Sequence, residues 1–194
     1  MLVLDGHYVA GGNATVFRRR RWEFDVGVHY LGDCQAGGLI PRILNACGAA
    51  GVQFRPMDVE LEQLTLPDFE FTIPRDRDEF RRRLIDRFPS ERRGIDRYVR
   101  FLAQVDRVGD AMVTGSRWRQ LVALARSPVV VRWGRGALGA FLDTCTRDVR
   151  LRTVLTAQHG TYAVAPARSR PCSTPGSPTT TSAAAAGIPR EAGR

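Results

Sequence analysis

The sequence predicts an α/β fold with most of its strands in the first part and helices in the second. Three patterns predict it. Runs of β-type residues bounded by Gly and Pro occupy the chain as far as Ile73. From Asp76 to Leu155, apolar residues recur at helical spacing. Beyond Pro166 no periodicity remains, only a mixture of Pro, Ser, Thr, Ala, Gly and Arg that cannot bury a core.

The elements follow in order. Met1 to Asp5 reads as a buried strand ending on an acid, and Gly6 to Asn13 as a Gly-containing loop. Phe17 to Tyr30 carries β-type residues around a charged turn. Gln35 to Ala50 reads as a helix with Leu39, Ile40, Ile43, Leu44 and Cys47 on one side and Pro41 in its first turns. Short strands are expected at Val52 to Phe54, Val59 to Leu66 and Phe69 to Ile73, broken by Pro56 and Pro67. Asp76 reads as a helix N-cap with Glu79 as its return partner. Phe80, Leu84, Ile85 and Phe88 share a face before Pro89 ends that helix, and Ser90 is expected to cap the next. Ile95, Tyr98, Val99, Leu102, Val105 and Val108 form a long stripe; Trp118, Leu121, Val122 and Ala125 form a shorter one before Pro128. Leu138, Phe141, Leu142 and Cys145 follow, and Asp148 is expected to cap a last helix carrying Val149, Leu151, Val154 and Leu155. These stripes are read as core, with the lining of a lipophilic pocket as the alternative.

The 194 residues are 43% hydrophobic, enough for one domain of ordinary size. No apolar run approaches the roughly 20 residues of a membrane-spanning helix; the four Cys read as reduced, mostly buried residues, as in a cytoplasmic protein. The net charge of +9 invites a nucleic-acid reading. All 29 basic residues are Arg, however, which a GC-rich coding sequence explains. They also alternate with acids, as in Asp76-Arg77-Asp78-Glu79, in the manner of a solvated face. No nucleic-acid partner is therefore expected, and an Arg-rich nucleic-acid-binding module stays as the third alternative. Cys34, Cys47, Cys145 and Cys172 form no CxxC pair, and His7, His29 and His159 are far apart. That spacing suits neither a metal site nor an assignable catalytic triad.

The chemistry lies in the first 32 residues. In dinucleotide-binding folds, the second strand ends on an acid whose carboxylate accepts hydrogen bonds from ribose hydroxyls, and Leu2-Val3-Leu4-Asp5 has that form. A Gly pair, Gly11-Gly12, follows. Gly there lets backbone approach a cofactor closely and offers its amides to phosphate oxygens. Trp22-Glu23-Phe24-Asp25-Val26-Gly27-Val28-His29-Tyr30-Leu31-Gly32 completes the segment.

The string LVLDGHYVAGGNATVFRRRRWEFDVGVHYLG resembles the segment after the second strand in the phytoene desaturase, carotenoid isomerase and retinol saturase (all-trans-retinol 13,14-reductase) group of FAD-dependent oxidoreductases. The shared pattern is a strand-end acid, a Gly pair, a basic turn and F-D-x-G-x-H-Y-x-G. A weaker resemblance covers Leu151 to Pro166, through Gln158, Gly160 and Tyr162. The resemblance implies that Asp5 holds the adenosine ribose of FAD, that Gly11 and Gly12 lie beside its phosphate or ribityl part, and that Asp25 and Gly27 approach the flavin. His29 and Tyr30 would point toward flavin and substrate. The plainer readings are a turn-capping acid for Asp25 and a satisfied buried imidazole for His29. The implied substrate is a lipophilic polyene, a carotenoid or retinoid, with peripheral membrane contact as a companion expectation. Which of desaturation, saturation or isomerisation is catalysed stays open.

The implied fold is a partial Rossmann-like FAD-binding domain at residues 1–58, followed by part of a mixed α+β substrate domain at 59–166, mostly helical after residue 75. A disordered tail is expected at 167–194. The family's first strand and G-x-G-x-x-G turn have no counterpart before Met1, so the expectation is an incomplete copy, with a non-catalytic remnant lacking cofactor as the alternative. In a neighbouring frame, GC-rich codons for Thr179 to Pro189 can spell the family's next motif, a His-Tyr stretch before Gly-x-x-Tyr-Pro-x-Gly-Gly. A frameshift after Pro166 is accordingly expected.

Overall fold

The computed structural model describes residues 6, 16–25, 31–49, 51–114, 116–157 and 184–186. They fall into two units, Met1–Pro56 with Thr181–Arg194, and Met57–Thr180. The described fold is mixed α and β, with helices and three two-stranded antiparallel sheets.

In the first unit, β1 (Val16–Arg19) and β2 (Trp22–Asp25) form a hairpin with Phe17 opposite Phe24 and Arg19 opposite Trp22. The connection is the two-residue turn Arg20-Arg21, and Arg20 takes φ 58°. Two-residue hairpin loops call for such left-handed backbone. The Phe17 and Phe24 rings stack at 5.1 Å, and Arg18 pairs with Glu23 on the other face. This is the charged turn flanked by strands that the sequence predicts. The expected strand Met1 to Asp5 lies outside the described residues, as does its loop apart from the exposed Gly6.

The next helix, α1 (Leu39–Ala46), starts four residues later than the expected Gln35. A turn occupies that space. Asp33, at φ 56°, presents its carboxylate to the Leu39 amide at 2.7 Å and to Gln35 Nε2 at 2.6 Å. A Cβ at Gly38 would stand 2.3 Å from the Asp33 carbonyl oxygen, so only Gly fits there. Pro41 falls in the first turn, where its missing N–H costs nothing. The helix ends before the expected Ala50 because Gly48, at φ 78°, closes a Schellman motif. Its amide donates to Asn45 and that of Ala49 to Leu44. The strand expected at Val52 to Phe54 is shifted to β3 (Phe54–Pro56), which pairs with a strand at Ala184–Ala186. That strand is the described part of the tail.

In the second unit, β4 (Glu60–Leu66) and β5 (Phe69–Pro74) pair across a Pro67-Asp68 turn. Phe69, Phe71 and Ile73 point into the core while Glu70 faces out, the period-2 pattern of a half-buried strand. Helix α2 (Arg77–Arg87) begins at Asp76, whose carboxylate accepts from the Glu79 amide at 2.8 Å. Glu79 does not serve as the expected return partner; its carboxylate is taken by Arg82 and Arg83. Ser90 is not a cap either. It lies inside a 3-10 turn, Pro89–Glu91, that runs into α3 (Arg92–Thr114).

Helix α3 carries Ile95, Tyr98, Phe101 and Leu102 into the core. Around it pack α4 (Arg117–Ala125), α5 (Pro128–Trp133), α6 (Leu138–Asp143) and α7 (Val149–Leu155). Three polar contacts fix them. Tyr98 donates its hydroxyl to the Leu155 carbonyl at 2.9 Å. The buried Gln104 accepts from the Val129 amide at 2.9 Å, serving the N-terminus of α5. Asp148 caps α7 through the Leu151 amide at 2.9 Å, as expected. Gly94 lets α3 approach the segment after α6 closely, since a Cβ there would meet the Cys145 carbonyl oxygen at 1.7 Å. One expected core stripe is turned outward: Trp118 is 72% and Leu121 60% exposed, and α4 packs through Ala123 instead. Periodicity says which residues share a face, and tertiary packing decides which way that face looks.

Candidate functional site

The residues assigned to cofactor and substrate lie between Asp5 and Tyr30 in the sequence. Asp5, Gly11, Gly12, Gly27, His29 and Tyr30 lie outside the described residues, as do Gln158, Gly160 and Tyr162. Asp25 is the last residue of β2, paired in register with Val16. The described structure therefore gives the frame of this stretch, on both sides of residues 26–30.

Upstream, the hairpin delivers extended backbone to Asp25. Its ring-bearing face, Phe17, Trp22 and Phe24, is 45–59% exposed, and the Arg21 guanidinium sits 5.1 Å from the centroid of the Trp22 ring. Downstream, the turn at Gly32–Gly38 is tied by Asp33 and closed by Gly38. Cys34 is buried in it, its thiol against the carbonyls of Gly32 at 3.4 Å and Leu31 at 3.8 Å. Burial raises the Cys34 pKa above that of an ordinary thiol, and the Asp33 charge adds to this. A thiol shifted this way is a poorer nucleophile than an ordinary one. Cys145, pushed up to about 11 mainly by burial, is another. No group of three or more His, Cys, Asp or Glu suited to a metal occurs among the described residues.

Open clefts among the described residues of the helical unit include two. One, of about 360 Å³, lies over β5 and α2 beside Phe71, Arg83 and Arg87. Its Arg83 is already committed to Glu60 and Glu79. The other, of about 470 Å³, lies between α3 and α4. Ala111, Val122 and Ala123 give it apolar walls, and Trp118, Arg107 and Arg126 stand among its other lining residues. Sequence reasoning missed this cleft, because it placed Trp118 in the core and read the arginines as dispersed surface charge. The signal was present in Arg117-Trp118-Arg119, an aromatic residue between two cations.

The chain is similar to all-trans-retinol 13,14-reductases. It is 27% identical to that of Danio rerio over 178 residues, which cover 86% of this chain and 29% of the relative. With the protein of Rattus norvegicus, 109 residues align at 30% identity, covering 54% of this chain and 18% of the relative. With that of Homo sapiens, 188 residues align at 25% identity, covering 87% and 30%. The chain thus spans less than a third of the length of these relatives. No protein-family profile and no solved structure matches it.

Proposed function

We propose that this chain forms part of an FAD-dependent oxidoreductase acting on a lipophilic polyene of the retinoid kind. The observation that carries this reading is the pairing of two sequence features. The chain is similar over most of its length to enzymes named as retinol reductases. Its start also carries the strand-end acid, Gly pair and F-D-x-G-x-H-Y-x-G pattern of flavin-dependent polyene enzymes.

In this reading residues 1–58 belong to a Rossmann-like flavin domain and 59–166 to a substrate domain. Asp5 accepts hydrogen bonds from the adenosine ribose hydroxyls, a carboxylate's ordinary task at that strand end. The amides of Gly11 and Gly12 face phosphate oxygens. Asp25 and Gly27 line the approach to the flavin, and His29 and Tyr30 orient the polyene. Bound FAD supplies the hydride chemistry. The described frame suits a close backbone approach: a paired strand feeds Asp25, and a turn braced by Asp33 and Gly38 receives the chain again at Leu31.

Flavin fluorescence during titration of the purified chain with FAD tests the reading. Saturable quenching that is lost in Asp5→Ala is the expected result. A folded chain that takes up no flavin at any concentration overturns it.

A further inference from the structure

The cations of the second unit fall into two groups. On α2 and α7 they are neutralised within the chain: Arg81 pairs with Asp96, Arg83 with Glu60 and Glu79, and Arg152 with Asp143. At the cleft between α3 and α4 they are not. Arg107, Arg119 and Arg126 line it, and Arg117 lies exposed just before Trp118. None of these four is ion-paired with an acid among the described residues. Asp110 is the one acid among the lining residues. The Arg107 guanidinium donates to the Arg126 carbonyl at 2.9 Å, which fixes it against the end of α4. Between the cations the cleft is apolar, floored by the small side chains of Ala111, Val122 and Ala123. A helix turns by about 100° per residue, so Arg107 and Ala111 stand one above the other on α3, as do Trp118 and Val122 on α4. The cleft is therefore a trough running along the two helices, with Trp118 72% exposed at its side.

We infer that the trough between α3 and α4 is a docking site for an acidic amphipathic helix of a protein partner. Shape and charge select that occupant. A small ligand is normally enclosed by its pocket, whereas this cleft is open and suits a helix laid into it. Such a helix fills an apolar floor with residues spaced i, i+3, i+4. Four cations without acidic partners, against one acid, complement Glu or Asp along the flanks of that helix. Charge elsewhere in the unit is settled within the chain, so the surplus is local to this trough. Trp118 supplies the anchor, since Trp and Arg are the side chains that most often carry binding energy at interfaces. A single-stranded nucleic acid would instead call for a series of aromatic platforms along the cations. One aromatic residue beside a floor of Ala and Val favours the helix. The inference stands on this surface alone and is independent of flavin binding.

Fluorescence anisotropy with the full chain tests it. The probe is a labelled helical peptide of about 18 residues, with Leu along one face and Glu on both flanks. It should bind saturably and more weakly as salt is raised. A peptide of the same composition in scrambled order should bind about tenfold more weakly, and one with Lys in place of every Glu should not bind. The pair Arg117→Glu with Arg119→Glu should lower affinity by about tenfold or more, and Trp118→Ser by about tenfold. The same charge change placed away from the trough, Arg92→Glu with Arg93→Glu, should leave affinity unchanged. All five side chains are exposed, so each variant should keep the wild-type melting transition. Failure of the Glu peptide to bind at low salt overturns the inference. So does equal binding of the scrambled peptide, or an equal loss in the two Arg pairs. Two further outcomes would reassign the face and overturn it too: a dimer in sedimentation that Trp118→Ser dissolves, or displacement of the bound peptide by a single-stranded oligonucleotide of higher affinity.

Discussion

The two units differ in where their apolar side chains go. In Met57–Thr180, Phe80, Leu84, Ile95, Phe101, Leu138, Phe141, Leu142 and Leu151 are at most 3% exposed and share one core. In the first unit, Val16, Phe17, Trp22, Phe24 and Ile43 are 43–59% exposed, and Cys34 and Gly38 are the buried positions among its described residues. The helical unit is held by burial. The described part of the first unit is held by local devices: a hairpin turn, a carboxylate on an amide, a glycine where no Cβ fits. Apolar area removed from water is worth roughly 25 cal/mol per Å², so global stability resides in the helices. A substitution among the described residues of the first unit is therefore expected to leave the helical core folded.

The largest expected contrast is between two phenylalanines. Phe141→Ala, at a fully buried position packed on Phe101, should cost about 3–5 kcal/mol in denaturant melts. Phe17→Ala, on the open hairpin face, should cost under about 1 kcal/mol. Equal losses would mean that the hairpin belongs to the same cooperative core.

Two glycines of α3 make the next contrast. Gly94→Ala puts a Cβ against the Cys145 carbonyl and should destabilise by about 1–3 kcal/mol. Gly109→Ala, with open space around it, should be neutral or stabilise by up to about 1 kcal/mol, as helix propensity dictates. The same melts read both. A smaller effect is expected at the cap of α7: Asp148→Ala removes the bond to the Leu151 amide and should cost about 1 kcal/mol, with Asp148→Asn close to wild type.

The smallest effect is electrostatic. Hydrogen bonds from Arg82 and then Arg83 lower the Glu79 pKa from 4.5 to about 2. A depressed carboxylate favours the folded state above its unfolded pKa, and that contribution disappears as pH falls from about 4.5 toward 2. Glu79 is half-buried at the surface and solvent still screens it, so the slope should be slight, present in wild type and flattened in Glu79→Gln when melting is followed across that range.

Much of the helical unit was legible because its signals are local. The alternation Phe69, Phe71, Ile73 gave the strand, Asp76 and Asp148 gave helix starts, and Pro89 gave an end. Where reading failed, a longer-range contact decided. Helix α1 is shorter than its apolar run because Asp33 and Gly38 build a turn before it. Glu79 is drawn off its cap by Arg82 and Arg83. The stripe of Trp118 and Leu121 faces out because α4 meets its neighbours through Ala123. The proposed cofactor segment rests on a different kind of signal. Its acid, Gly pair and His-Tyr pattern carry meaning through their order in the chain and leave no mark on periodicity. The cleft between α3 and α4 was missed because it gathers residues from two helices, with Arg117-Trp118-Arg119 as its local trace in the sequence.

Amide hydrogen exchange of the full chain, with and without FAD, tests the central claim most directly. The account predicts that FAD slows exchange at residues 5–12 and 25–30 and leaves the amides of α2 to α7 unchanged. Unaltered exchange throughout, or slowing confined to the helical unit, would contradict it.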